Sequence, residues 1–234
     1  MDEKQLKTSW KQRLLIAVIA ALMLGSSLML YVGIVLSGNK DAASSAKQNE
    51  ETAKLQEEMT KKQEEMTAEG KSMGAKYLDE MKGYKSRVKA YNASTANNDG
   101  LKTADLKKGT GTEITQDFKD YYAYYIGFCA DEKVFDSSFD SYDNPTSLKD
   151  PISGQLSLVA GWTEGVVGMK VGGVREVTIP SELGYAETEQ ADNVCGKGAP
   201  MKFVIYAMEP SEKYLKLKNE YEELYFELYA MQMK

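Results

Sequence analysis

Residues 161–186 read GWTEGVVGMKVGGVREVTIPSELGYA, and two periods follow one another within them. Across Gly161 to Val171, Trp162, Val166 and then Met169 or Lys170 recur at spacings of three to four, which predicts one short helix with a single apolar face. From Val174 to Pro180 (VREVTIP) the pattern changes to alternation, the mark of a strand with one face toward a core. Working outward, Tyr121 to Cys129 (YYAYYIGFC) and Met201 to Met208 (MKFVIYAM) carry the same period of two. The rest of the stretch from about Leu101 to Pro210 is broken by Gly, Pro, Asn and Asp, so the strands are short and joined by turns. About 110 residues can bury one core. The expected fold class is α+β: a mostly antiparallel sheet packed against one short helix.

Composition excludes several chemistries. The 234 residues include 29 Lys and Arg, 35 Asp and Glu, two Cys and no His. Without His there is no Ser-His-Asp or Cys-His nucleophile pair and no His-containing zinc site, and two cysteines cannot supply four thiolates. Residues 100–210 carry a net charge of −7, which offers no general attraction to nucleic acid. Chemistry is left to Tyr, Asp, Trp and apolar side chains.

The chain before the sheet divides in three. Residues 14–36, LLIAVIAALMLGSSLMLYVGIVL, hold no charge, and as a helix would reach roughly 34 Å, enough to cross a bilayer core of about 30 Å. Lys4, Lys7, Lys11 and Arg13 crowd the segment before it, so the expectation is a transmembrane signal anchor with residues 1–13 cytoplasmic and everything after Leu36 extracytoplasmic. A removed signal peptide, cut near the small residues at 43–46, is the alternative. Residues 37–99 read as a helical stalk and linker: positions 40–92 lack Pro and are rich in Lys, Glu, Gln, Met and Ala. Leu55, Met59, Met66 and Met73 are sparse apolar positions, whereas Tyr77, Met81, Tyr84, Val88 and Tyr91 form a regular stripe. Residues 211–234 form a second amphipathic helix through Tyr214, Leu217, Tyr221, Leu224, Leu228 and Met231. Such stripes want partners. They pair within the chain, beside the folded domain, or with a second copy as a homodimer, and the sequence leaves both open.

Four strings, YYIGF, KVFDSSFD, the 161–186 stretch quoted above and MKFVIYAMEP, occur in an order and spacing that strongly resemble the FKBP-type peptidyl-prolyl cis/trans isomerases. The resemblance covers residues 100–210. It implies a twisted antiparallel sheet around one short helix, peptidyl-prolyl isomerase activity without a cofactor or metal, and proline-containing polypeptide clients. By the same resemblance Trp162 forms the floor of a proline pocket, with Tyr125, Phe135 and Phe203 as aromatic walls and Leu158 and Val159 as aliphatic ones. Tyr185 then donates its hydroxyl to a substrate carbonyl, the Val159 N–H binds another, and Asp136 sits at the edge within a local hydrogen-bond set. Tyr125, Asp136 and Tyr185 are thus the expected catalytic group. A binding module or chaperone that keeps the pocket without catalysis is the competing reading.

Departures from the family pattern gather in two loops. Thr146 follows Pro145 where an aromatic is usual, Ser141 or Tyr142 stands where a basic residue is common, and Ala186 replaces the Gly after the site Tyr. Beyond Tyr185 the family's Ile-Pro is missing and 193–198 reads NVCGKG. Cys195 falls in that loop, and Cys129 lies four residues beyond Tyr125 on the same strand face, so a disulfide at the pocket rim is expected. Gly109-Thr110-Gly111 reads as a turn rather than a phosphate loop. Asp136, Asp140 and Asp143 with Asn144 read as a solvated acidic loop rather than a calcium site.

Overall fold

The computed structural model describes residues 42–117, 121–156 and 158–232. The apolar run 14–36 and the tail before it lie outside the described residues. Among the described residues no helix is long and apolar enough to cross a membrane. The elements run α1 (Ala42–Gly83), a 3-10 turn (Tyr84–Arg87), α2 (Ala93–Asn98), β1 (Lys102–Lys107), β2 (Tyr122–Phe128), β3 (Val134–Ser137), β4 (Ile152–Ser153), α3 (Ala160–Gly165), β5 (Val174–Ile179), a 3-10 turn (Ser181–Leu183), α4 (Glu189–Asp192), β6 (Met201–Met208) and α5 (Glu212–Gln232).

Two compact units result, one built from α1 up to Met66 with the chain from Leu215 onward, the other from Thr67–Tyr214. In the first, Leu55, Met59 and Met66 on α1 and Leu217 and Tyr221 on α5 are buried. Gln48 Nε2 donates to the Met231 carbonyl at 3.2 Å and Lys62 pairs with Glu220 at 2.7 Å, so the helices run antiparallel. The carboxy-terminal stripe therefore faces the sparse early positions of the stalk.

In the second unit the sheet order is β1-β5-β6-β2-β3, with β4 beside β2, and every pairing is antiparallel. Alternation sorts the side chains as expected: Ala123 and Tyr125 of β2, Val177 and Ile179 of β5, and Met201, Phe203, Ile205 and Ala207 of β6 share one face with Trp162 and Val166 of the α3 region. The sequence reading treated these strands as one-sided, but β2 and β6 are buried on both faces. On the far face Tyr77 of α1 meets Tyr124 at 5.8 Å and Tyr206 at 5.2 Å between ring centroids, Tyr91 meets Phe128 at 6.1 Å, and Tyr214 meets Tyr122 at 5.9 Å. The regular stripe of residues 77–91 is thus the cover of the sheet's second face.

The helix expected over residues 161–171 is shorter, Ala160–Gly165. Gly168 takes φ +78°, a left-handed value that ends the helical path, and the chain turns into a bridge with the 112–114 segment. The Ile114 N–H then donates to the Met169 carbonyl at 2.7 Å, so Met169 reaches the core through a turn and not along a helix face.

Met81 is fully buried. If residues 67–91 are part of the folded unit, Met81→Ala should cost about 2 to 5 kcal/mol in chemical denaturation, as truncations in well-packed cores do. A change below about 0.5 kcal/mol, the size of a surface substitution, would show that this helix end is only a spacer.

Candidate functional site

Trp162 is the third residue of α3, a helix too short to persist without tertiary contacts. Its position is set by close approach. A Cβ on Gly161 would lie 2.3 Å from Ile179 and one on Gly165 2.4 Å from Val177, so only glycines allow α3 to rest directly on β5. Arg175 of β5, itself buried, donates from Nη1 to the Gly165 and Val167 carbonyls at 3.0 and 2.9 Å and pairs through Nε with Asp105 at 2.6 Å. A guanidinium at those carbonyls suits the negative end of a helix. The indole is 2% exposed, and its Nε1 donates to the Tyr121 hydroxyl at 3.1 Å, which satisfies the one polar group of a buried ring. Sequence reasoning missed both Tyr121 and Arg175 as supports. The only available signal was a charged residue inside the alternation of VREVTIP.

Around this floor the expected walls assemble. Trp162 and Phe203 ring centroids are 4.9 Å apart, Tyr125 and Trp162 5.4 Å, Phe135 and Phe203 5.5 Å, and Tyr125 and Phe203 6.2 Å, edge to face or tilted. Gly127 pairs opposite Phe203, and a Cβ there would come within 2.7 Å of Phe203 and 2.8 Å of Phe135. That is the physical reason for a glycine two residues after Tyr125. Leu158, Val159 and Tyr185, each partly exposed, pack against the same cluster. All eight expected site residues except Asp136 therefore share one apolar cluster, and Asp136 is tied to it by a hydrogen bond.

Asp136 lies at the exposed end of β3. Its Oδ2 accepts from the Tyr125 hydroxyl at 2.5 Å and its Oδ1 from the Ser137 N–H at 2.8 Å. Burial, reinforced by this hydrogen bond and the carboxylate charge, pushes the Tyr125 phenol far up. Burial and then the Asp136 charge push the Tyr185 phenol up too. Both stay protonated through the neutral range and so act as neutral hydroxyls, not as phenolate bases. Tyr125 is committed to Asp136, whereas the Tyr185 hydroxyl has no partner among the described residues. Val159 caps α3 with φ −60° and ψ 148°; its carbonyl accepts from Trp162 and Thr163, and its own N–H has no partner among the described residues. Two unused donors thus flank the aromatic floor.

Both departing loops are fastened by their own residues. Thr146 is no wall: its N–H donates to Asp140 Oδ1 at 3.0 Å and its hydroxyl to Oδ2 at 2.5 Å. The Thr146 hydroxyl and three backbone N–H groups hold the Asp140 carboxyl well below the usual carboxylate range and tie its oxygens to the loop. Lys85 donates to the Tyr142 carbonyl at 2.6 Å and the Asp143 carbonyl at 3.1 Å and lies 4.6 Å over the Tyr142 ring. On the other loop, Cys129 and Cys195 form a disulfide with Cα atoms 5.4 Å apart. Ala186, at the position where the family carries Gly, takes φ +48°.

The bond between residues 129 and 195 closes a loop of 66 positions, so its reduction should lower stability by about 4 kcal/mol in the chain-entropy model. Denaturation with and without reductant measures this, and curves that superimpose contradict it. Ala186→Gly should raise the unfolding free energy by up to about 1 kcal/mol, and with it the denaturation midpoint, because relief of the left-handed strain outweighs the extra unfolded-state freedom of Gly. A lower midpoint would mean that the strain is absent.

Comparison with known proteins gives the family of the chain. A family model described as FKBP-type peptidyl-prolyl cis-trans isomerase matches residues 111–207. The chain is 40% identical over 86 residues to an FK506-binding protein of Neisseria meningitidis serogroup B, covering 37% of this chain and 74% of that one. It is 34% identical over 98 residues to a probable FK506-binding protein of Corynebacterium glutamicum, covering 42% and 77%. A longer match, 33% identical over 138 residues, is to a probable FKBP-type peptidyl-prolyl cis-trans isomerase, FkpA, of Neisseria meningitidis serogroup B, covering 56% of this chain and 47% of that one. With its motifs placed as above and three quarters of a 40% identical relative covered, the chain belongs to the FKBP-type peptidyl-prolyl cis-trans isomerase family.

Proposed function

We propose that this chain is a membrane-anchored isomerase that turns X-Pro bonds in exported or surface proteins, with residues 100–210 carrying the activity, 14–36 the anchor and 1–13 in the cytoplasm. The observation that carries the reading is the aromatic floor of Trp162, Tyr125, Phe135 and Phe203 flanked by two donors that have no partner of their own among the described residues, the Val159 N–H and the Tyr185 hydroxyl.

The barrier to be lowered is amide resonance, about 18 to 20 kcal/mol, and an unaided X-Pro bond turns over in tens to hundreds of seconds. No bond to the protein is needed. A twisted amide is less polar than a planar one, so an apolar surface that excludes water disfavours the planar state relative to the twisted one. A prolyl ring seated against the Trp162 indole brings its flanking carbonyls toward Val159 and Tyr185, which fix the chain on either side of the rotating bond. Asp136, by holding the Tyr125 hydroxyl, keeps that phenol as a wall and leaves Tyr185 as the donor. The anchored, outward placement is supported by the charge-free length of residues 14–36 with basic residues before it, and by a disulfide of the kind that persists outside the cytoplasm.

A protease-coupled assay on a proline peptide, run on the full chain in detergent, tests the reading. Tyr185→Phe and Asp136→Ala should each lower kcat/KM by roughly tenfold, less than the 100-fold or more of an oxyanion-hole donor because little charge develops, with melting temperatures nearly unchanged. Wild-type protein that turns over peptide no faster than the uncatalysed reaction, while folded, would favour a non-catalytic proline-binding module or chaperone.

A further inference from the structure

The segment between stalk and sheet, residues 92–100, has the turn and loop composition of a linker, yet one of its side chains holds both ends of the loop that carries Tyr185. Asn97 lies in α2, whose start is capped by Asn92 accepting from the Thr95 N–H at 2.7 Å. Its Oδ1 accepts from the Ser181 N–H at 2.9 Å, and its Nδ2 donates to the Gly198 carbonyl, also at 2.9 Å. The backbone completes a ring: the Ala186 N–H donates to the Ser181 carbonyl at 2.9 Å, and the Gly198 N–H donates to the Ala186 carbonyl at 2.9 Å. Asn97, Ser181, Ala186 and Gly198 are thus joined in one closed circuit of four hydrogen bonds, and Tyr185 is the residue next to its strained corner. An amide is suited to the task because it offers one acceptor and one donor about 2 Å apart, where a carboxylate or a lysine offers only one kind. The circuit is independent of the Cys129–Cys195 bond, which ties the same loop three residues before Gly198.

We infer that Asn97 is a positioning residue that sets the placement of the Tyr185 hydroxyl over the aromatic floor. The inference rests on the reading of Tyr185 as the carbonyl donor. Loss of the Asn97 amide opens the circuit, and the loop keeps its disulfide and its apolar contacts while the hydroxyl loses its fixed position. Misplacement of a donor by even about 1 Å can cost as much as 100-fold in rate.

A double-mutant cycle on the full chain decides it, with kcat/KM and KM read in the proline-peptide assay for Asn97→Ala, Tyr185→Phe and the pair. Asn97→Ala should lose about tenfold in kcat/KM, and in the Tyr185→Phe background the same change should cost less than about twofold. Asn97→Asp, which keeps the acceptor for Ser181 but has no donor for Gly198, should fall between wild type and Asn97→Ala and serves as the folded variant if the alanine form is unstable. Hydrogen exchange at the Ala186 and Gly198 amides should accelerate in both Asn97 variants. Equal losses in the two backgrounds, or no loss with Tyr185→Phe impaired, would overturn the role of Asn97 alone. An unaffected Tyr185→Phe would overturn the donor reading and this inference with it.

Discussion

The contact of α3 with β5 is the constraint on which the rest depends. A helix of six residues has no stability of its own, yet it carries the indole that forms the floor of the site. It is held at a distance that no side chain at 161 or 165 would permit, with Val177 and Ile179 filling the space two Cβ atoms would need. Arg175 then occupies the carbonyls at its end and Tyr121 the indole N–H. Phe203 lies on β6, which pairs in fixed register with β5, and Tyr125 on β2, which pairs with β6, so the ring cluster inherits its geometry from the sheet.

Hydrogen-bond accounting at the site divides it into settled and available groups. Asp136 has one oxygen on Tyr125 and one on Ser137, Trp162 is satisfied by Tyr121, and the Val159 carbonyl is used by α3. What is left is a phenol and a backbone N–H, both neutral, at the rim of an apolar cluster. Among the described residues such a site offers no uncommitted side-chain base or nucleophile, its one carboxylate being engaged by Tyr125 and Ser137. It is suited to a reaction whose barrier is electronic within the substrate and whose transition state is less polar than its ground state.

Much of this was legible in the sequence because it lies in side-chain period and in motif. The alternation of MKFVIYAM placed β6 to the residue, and FDSS, GW and the later Tyr located seven members of one cluster and the carboxylate beside it. The helix over 161–171 was misjudged because Trp162, Val166 and Met169 do face one core, but Gly168 delivers Met169 by a left-handed turn that hydrophobic spacing does not register. The burial of β2 and β6 on both faces was missed for a different reason. YYAYYIGF is apolar at nearly every position, which reads equally as alternation with large residues or as a fully buried strand, and only the placement of Tyr77, Tyr91 and Tyr214 against the far face decides between them. Tyr121 and Asn97 left no signal, since they act through long-range hydrogen bonds, one for Tyr121 and two for Asn97.

The departures from the family pattern acquire a common explanation in this light. They fall in the two loops beside the ring cluster, against which Val194 and Cys195 of one loop pack, and the question there is how a loop is fastened. In one, an aromatic packed on the surface is absent, and Asp140 with Thr146 inside the loop and Lys85 outside it provide hydrogen bonds instead. In the other, Ile-Pro is absent, and a covalent bond from Cys195 to the end of β2 stands in its place, while Asn97 closes the base. Lys85 and Asn97 both precede the first strand, so the segment that covers the sheet's far face also fastens the loops of its near one. A loop held by a few directional bonds tolerates change at its tip as long as those partners persist, and the aromatic cluster beside it, set by strand register, does not depend on which partners those are.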